Sequence, residues 1–199
     1  RCPIYATPFT ADILGHKLAE AGLEGQVDVT VIPLGGKFSI GPFDLELITL
    51  THSIPEPNAI AIRTPVGTVL HTGDWKFDPD PVVGQVSDED ALRRLGDEGV
   101  LAIICDSTNV FTKGTSGSEG DLLESLTTLI STLKERVVVT CFASNVARLE
   151  TIAAAAAANG RDVVLAGRAL WRFSEVGRAH GCLKDTPAFL DEDQAGFLP

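Results

Sequence analysis

Hydrophobic and polar residues alternate along Phe43-Asp44-Leu45-Glu46-Leu47, and the pattern then turns apolar through Ile48-Thr49-Leu50. A strand that leaves solvent and enters a core reads this way. The same signal, bounded by turn residues, predicts further strands at 27–32, 38–40, 59–63 and 68–71. Pro65-Val66-Gly67 makes the last two a hairpin. Ahead of them, residues 11–21 have the spacing of an amphipathic helix, with Thr10 as N-cap and Gly22 just past its end. Asp78-Pro79-Asp80-Pro81 is a loop, because its prolines lack amide donors. Residues 88–96 predict a short acidic helix, and 100–105 an uninterrupted apolar strand that ends at Asp106.

A Gly/Ser/Thr-rich connector occupies 109–120. Beyond it helical and strand patterns alternate: helix 120–134, strand 136–142, helix 145–158, strand 161–166 and helix 169–179. Such alternation predicts a parallel sheet with helices on its faces. The six alanines 153–158 suit a helix packed closely on that sheet. The fold class is α/β, with a β-rich part at 1–115 and an alternating part at 116–199.

Composition adds limits. With 44% hydrophobic residues, a chain of 199 can bury a core. No run of about 18 apolar residues is present, so no membrane helix is predicted and a cytoplasmic location is expected. The chain has no Met, begins Arg1-Cys2-Pro3 and ends Phe197-Leu198-Pro199, which reads as an internal piece of a longer protein. Core faces exposed in such a piece favour self-association into a homo-oligomer. Cys2, Cys105, Cys141 and Cys182 lie far apart without a C-x-x-C pair; Cys105 and Cys141 end apolar runs and are expected to be buried thiols in a reducing compartment.

The net charge of −11 argues against a simple electrostatic grip on nucleic acid. The charge is uneven, however: residues 134–184 hold eight Lys and Arg against four Asp and Glu. An arginine-rich segment inside an acidic protein is a candidate phosphate-facing surface.

The candidate chemistry sits where strands give way to loops. His52, in Thr51-His52-Ser53-Ile54-Pro55, and Asp74, in His71-Thr72-Gly73-Asp74-Trp75, each follow a predicted strand. An imidazole and a carboxylate on adjacent strand ends suit a borderline metal such as zinc. Two ligands do not close such a site, so others must come from elsewhere. Asp106 is a third carboxylate at a strand end, read either as an Asx-turn or as support and proton handling for a metal centre. His71 is expected on its strand with a structural role. Ser144 and Asn145 open a helix after a strand, where capping and phosphate contact are both expected of them. No nucleophile elbow, dinucleotide loop or Walker sequence is present.

These stretches together resemble the metallo-β-lactamase-fold nucleases that carry a β-CASP domain, and among them the ribonuclease J family. Besides the His52, Asp74 and Ser144-Asn145 segments, the resemblance includes Pro3-Ile4-Tyr5-Ala6-Thr7, Cys105-Asp106-Ser107-Thr108-Asn109 with Ser118-Glu119, and Val164-Leu165-Ala166-Gly167-Arg168. It implies part of a metallo-β-lactamase αββα sandwich followed by the first part of a β-CASP domain. It also implies that His52 and Asp74 bind metal, with Asp74 bridging two zinc ions (manganese as the alternative), that Asp106 is an acidic catalytic residue beside them, and that Ser144 and Asn145 face RNA. A metal-bound hydroxide would attack the RNA phosphodiester, with endonucleolytic and 5′-exonucleolytic cutting both open. The family's H-x-H-x-D-H motif belongs before Arg1 and its later histidine motifs after Pro199, so this stretch alone lacks a complete active site. A metallo-hydrolase acting on DNA or a small ester, and a non-catalytic RNA-binding or scaffolding protein, are the alternatives.

Overall fold

The computed structural model describes residues 2–198; Arg1 and Pro199, on which the reading as an internal piece leans, lie outside them. The chain forms two compact units, one from residues 2–52, 56–79 and 84–116, the other from 53–55, 80–83 and 117–198.

In the first unit, β1 (Ile4–Ala6) leads into α1 (Pro8–Glu20), and β2 (Val29–Val31) pairs parallel with β1. Periodicity alone does not find the three-residue β1. The helix starts three residues before the expected position and is not capped by Thr10. Pro8 at its first turn has its φ set for a helix. The Phe9 amide donates to the Glu56 carboxylate at 2.9 Å, a cap supplied from 47 residues away.

Five strands then make the main sheet: β3 (Lys37–Ile40), β4 (Phe43–Thr49), β5 (Asn58–Thr64), β6 (Gly67–His71) and β7 (Ala102–Ile104). The first three pairings are antiparallel and β6 with β7 is parallel. The expected hairpin joins β5 to β6 through Thr64 opposite Gly67. A Cβ at Gly67 would stand 3.0 Å from the Leu101 side chain, and its φ of +143° also favours glycine.

Alternation gives the sheet an inward row: Ile48 and Leu50 from the β4 side, Ala59 and Ala61 from β5, and Leu70 from β6. α2 (Glu89–Glu98), capped by the Asp88 carboxylate on the Ala91 amide at 2.9 Å, lays Ala91 and Leu95 onto that row. The two alanines of β5 leave room for the helix to approach. At the rim of this layer Glu46, with a side chain only 4% exposed, meets Arg94 at 2.6 Å, Arg63 at 2.8 Å and Lys37 at 3.2 Å. Burial raises the Glu46 pKa, but the contacts with Arg63 and Lys37 outweigh it and hold the carboxyl below 4.5. A folded pKa below the unfolded one adds stability that is complete above the unfolded value and is lost as pH falls through the folded one. Thermal melts of the wild type from pH 6 down to roughly pH 3 should therefore fall more steeply than those of Glu46→Gln. Parallel slopes would show that Glu46 is not among the titrating groups that matter.

β7 departs from expectation. The apolar run was predicted to be buried, yet only residues 102–104 pair. They form an edge, with Leu101 68%, Ile103 60% and Ile104 56% exposed. Cys105 is likewise exposed and Cys141 only half-buried; all four cysteines are free thiols. An apolar run records a demand for burial, and the partner that meets it is a property of the surrounding structure.

The second unit holds α3 (Leu122–Ser131), α4 (Val146–Ala158) and α5 (Arg168–Ala179), followed by a 3-10 turn at Glu192–Phe197. Its helices match prediction, but 136–142 forms no strand, and 161–166 pairs only at Val164. Among the described residues the sheet is reduced to one parallel bridge, Val164 with Leu190. Val138 and Phe142 are more than four-fifths exposed. A helix closes its hydrogen bonds within itself, whereas a strand needs a neighbour. The alanine run is helical and packs toward α3 and α5 rather than onto a sheet, burying Ala153, Ala155 and Ala156. The chain as a whole is mixed α/β. Among the described residues no helix is long and apolar enough to cross a membrane.

Candidate functional site

Strand direction gathers three of the predicted residues. β4 and β6 both run antiparallel to β5, and β7 runs parallel to β6, so β4, β6 and β7 share one direction. Their C-terminal ends, which carry the loops of His52, Asp74 and Asp106, therefore lie at one end of the sheet.

Two of these loops are joined. Thr51 forms an isolated antiparallel bridge with Lys76, and the Lys76 amide donates to the Thr51 carbonyl at 3.0 Å. In that register His52 runs alongside Trp75 and Asp74. Gly73 turns the chain between β6 and Asp74 with φ +61°, and a Cβ there would meet the Asn58 carbonyl at 3.4 Å. Asp74 is exposed and His52 half-buried. The His52 loop closes at Glu56, which takes a left-handed φ of +58° and presents its carboxylate to α1. His71 is exposed, and its Nδ1 accepts the Gly73 amide at 3.1 Å, so it shapes the turn.

Asp106 is fixed to the same end by backbone bonds. Thr72 donates its amide to the Ile104 carbonyl at 3.0 Å, and its hydroxyl accepts the Asp106 amide at 3.1 Å. The Asp106 Oδ1 accepts the Thr108 hydroxyl at 2.6 Å and the Thr108 amide at 3.0 Å, which is the Asx-turn geometry. The Thr108 hydroxyl and then its amide hold the Asp106 carboxyl below its ordinary range, with the nearby His52 adding to the effect.

The donors have the chemistry of a zinc site, an imidazole nitrogen and a carboxylate oxygen, but they do not complete one. Among the described residues no group of three His, Cys, Asp or Glu is placed to hold a metal ion. A four-coordinate site needs further ligands.

The second unit places Ser144 and Asn145 at the start of α4. The Asn145 Oδ1 accepts the Arg148 amide at 2.8 Å, the expected cap. The Val146 amide donates to the Ser144 carbonyl at 3.0 Å and the Ala147 amide to the Ser53 carbonyl at 3.4 Å. The first amides of this helix are thus taken by the protein. Arg148 donates its Nε and Nη2, one edge of the guanidinium, to the two carboxylate oxygens of Glu119.

The basic segment is also less open than its sequence suggests. Arg136 donates to the Leu198 carbonyl, Arg161 to the carbonyls of Leu133 and Glu135, and Arg178 to those of Leu183, Thr186 and Pro187. With Arg148, at least four of the six arginines between 134 and 184 bond within the unit. Lys134, Arg168 and Lys184 remain exposed.

Sequence reasoning missed the residues that hold the loops: Thr51, Glu56, Thr72 and Thr108. Their only local signal is a short polar side chain beside a strand end.

Residues 134–199 match the family model described as ribonuclease J, β-CASP domain. It is 44% identical over 197 residues to ribonuclease J of Sinorhizobium meliloti, covering 99% of this chain and 35% of that protein. It is 39% identical over 199 residues to ribonuclease J of Thermus thermophilus, with the same coverage. Ribonuclease J of Corynebacterium glutamicum is 45% identical over 182 residues, covering 92% of this chain and 25% of that protein. The chain is thus similar to ribonuclease J proteins along nearly its whole length, and it spans about a third of the length of the first two of these relatives. A crystal structure of an Enterococcus faecalis protein of unknown function superposes with a TM-score of 0.55 at 18% identity, covering 95% of this chain and 52% of that one, a likeness of fold alone.

Proposed function

We propose that the full-length protein is a metal-dependent ribonuclease that acts on RNA in the cytoplasm. The observation that carries this reading is the alignment with ribonuclease J proteins along 99% of the chain, at 39% and 44% identity. The gathering of His52, Asp74 and Asp106 at one end of the sheet supports it. In this reading residues 1–115 are part of a metallo-β-lactamase domain and 116–199 part of a β-CASP domain. His52 and Asp74 are two ligands of a zinc centre, manganese being the alternative, whose other ligands lie outside this chain. The metal supplies Lewis-acid stabilisation of charge developing on the phosphate. This chain's own residues orient: Asp106 sets its charge beside His52, and Ser144 and Asn145 offer side-chain donors to the RNA backbone.

The test is cleavage of end-labelled single-stranded RNA, beside DNA of the same sequence, by the full-length protein with zinc, with manganese and with a chelator. RNA cleavage that stops on chelation is expected, and the product ladder separates endonucleolytic from 5′-exonucleolytic cutting. Equal cleavage of DNA would favour a broader metallo-hydrolase. RNA binding without cleavage and without bound metal would make the protein a non-catalytic RNA-binding or scaffolding subunit.

A further inference from the structure

Thr51 is among the most deeply buried side chains of the molecule, at 2% exposure, although it ends in a hydroxyl and adjoins the candidate ligand His52. A threonine hydroxyl has one proton to give and two lone pairs to fill. Here all three are engaged by different segments. The hydroxyl donates to the Lys76 carbonyl, accepts the Asp78 amide at 3.0 Å, and lies 3.1 Å from the Ser87 hydroxyl, which with the Thr51 proton already committed is the donor. The backbone bond from the Lys76 amide to the Thr51 carbonyl runs beside these contacts. The Asp78 carboxylate, 1% exposed, closes on the Lys76 ammonium at 2.9 Å.

We infer that the Thr51 hydroxyl is a positioning group, a clamp that holds the His52 loop against the 74–78 loop so that the two candidate ligands keep their separation. It touches neither metal nor substrate. The inference rests on the proposed function for its catalytic consequence, though not for the clamp itself. A hydroxyl with all three capacities met is costly to replace by a methyl of the same shape, since a carbonyl, an amide and a second hydroxyl lose their partner together. This one hydroxyl ties the two loops and the segment ahead of α2 at one point.

The test compares Thr51→Val, which keeps the shape, with Thr51→Ser, which keeps the hydroxyl, in the full-length protein. Two readouts are taken: amide hydrogen exchange at Asp78 and Lys76, and kcat and KM for single-stranded RNA. The clamp predicts that Thr51→Val loses protection at Asp78 and neighbouring amides while the amides of β4 and β5 keep theirs. It further predicts a kcat lowered about 10–100-fold with KM little changed, the scale on which residues orienting a ligand act, and a near wild-type Thr51→Ser. Unchanged protection at Asp78 in Thr51→Val would overturn the clamp. So would an equal fall in both variants, which would assign the effect to packing of the methyl, and so would full kcat despite lost protection. A wild type that cleaves no RNA would instead sink the functional reading, while exchange at Asp78 still decides whether the hydroxyl ties the loops.

Discussion

Replacing His52 and Asp74 together by alanine is expected to reduce RNA cleavage by the full-length protein to the level of a no-enzyme control. The two residues stand on loops joined by the bridge between Thr51 and Lys76, and in the proposed reading they are the imidazole and carboxylate offered to a shared cation. Removing both takes away two ligands of different chemistry, and the loss cannot be made good by water alone. The fold should hardly respond. Asp74 is exposed and His52 half-buried, neither belongs to the hydrophobic core, and substitutions of this kind usually change stability by less than about 0.5 kcal/mol. The measurement is a cleavage time course beside a thermal melt on the same preparation. Retained cleavage with an unchanged melt would remove both residues from the site and with them the metal-centre reading.

The largest effect on stability is expected at Leu95. Its side chain is 1% exposed and enters the sheet-facing cluster of Ile48, Leu50, Ala59, Ala61, Leu70 and Ala91, with Trp75 packed against the margin. Leu95→Ala deletes the principal apolar anchor of α2 and leaves a cavity opposite two alanines, side chains too short to fill it. A cost of about 2–5 kcal/mol follows from the lost transfer energy and the cavity together. Arg93→Ala on the same helix is the control. Its side chain is 67% exposed and pairs only with Glu89 and Asp90 along the helix surface, so its effect should stay below about 1 kcal/mol. Urea unfolding followed by tryptophan fluorescence separates the two. Equal midpoints would mean that α2 is held by its ionic rim at Glu46 rather than by its apolar face.

These expectations show how far each level of information reaches. The alternation through Phe43–Thr49 located β4 to the residue, and the two-residue loop before Gly67 located the β5–β6 hairpin, because both signals are local. The strand predicted at 136–142 does not form and that at 161–166 shrinks to one bridge for the converse reason: their residues have the composition of strands, but pairing is not a property of a segment. The apolar run at 100–105 does supply a strand, β7, paired with β6, but Ile103 and Ile104 stay exposed at the sheet edge, which an apolar run by itself does not reveal. At the candidate site, His52, Asp74 and Asp106 were legible from strand-to-loop transitions. The arginines of the second unit were counted correctly, but their direction was invisible; Arg161 and Arg178 keep their charge but turn to backbone carbonyls the donors that composition had offered to a phosphate.

What the sequence determined by itself is therefore the inventory of this protein: its helices, the alternating strands of its first unit, the residue types able to meet a metal, and the family that their order resembles. Each is set by neighbours a few positions away or by the identity of a side chain. The tertiary structure alone decided which strands found partners, that three strand ends face one way, that Glu56 caps a helix 47 residues distant, and that one buried hydroxyl on Thr51 ties two loops together. Hydrogen bonds and ion pairs of this kind depend on directions and distances between segments remote in sequence, which pattern and composition do not encode.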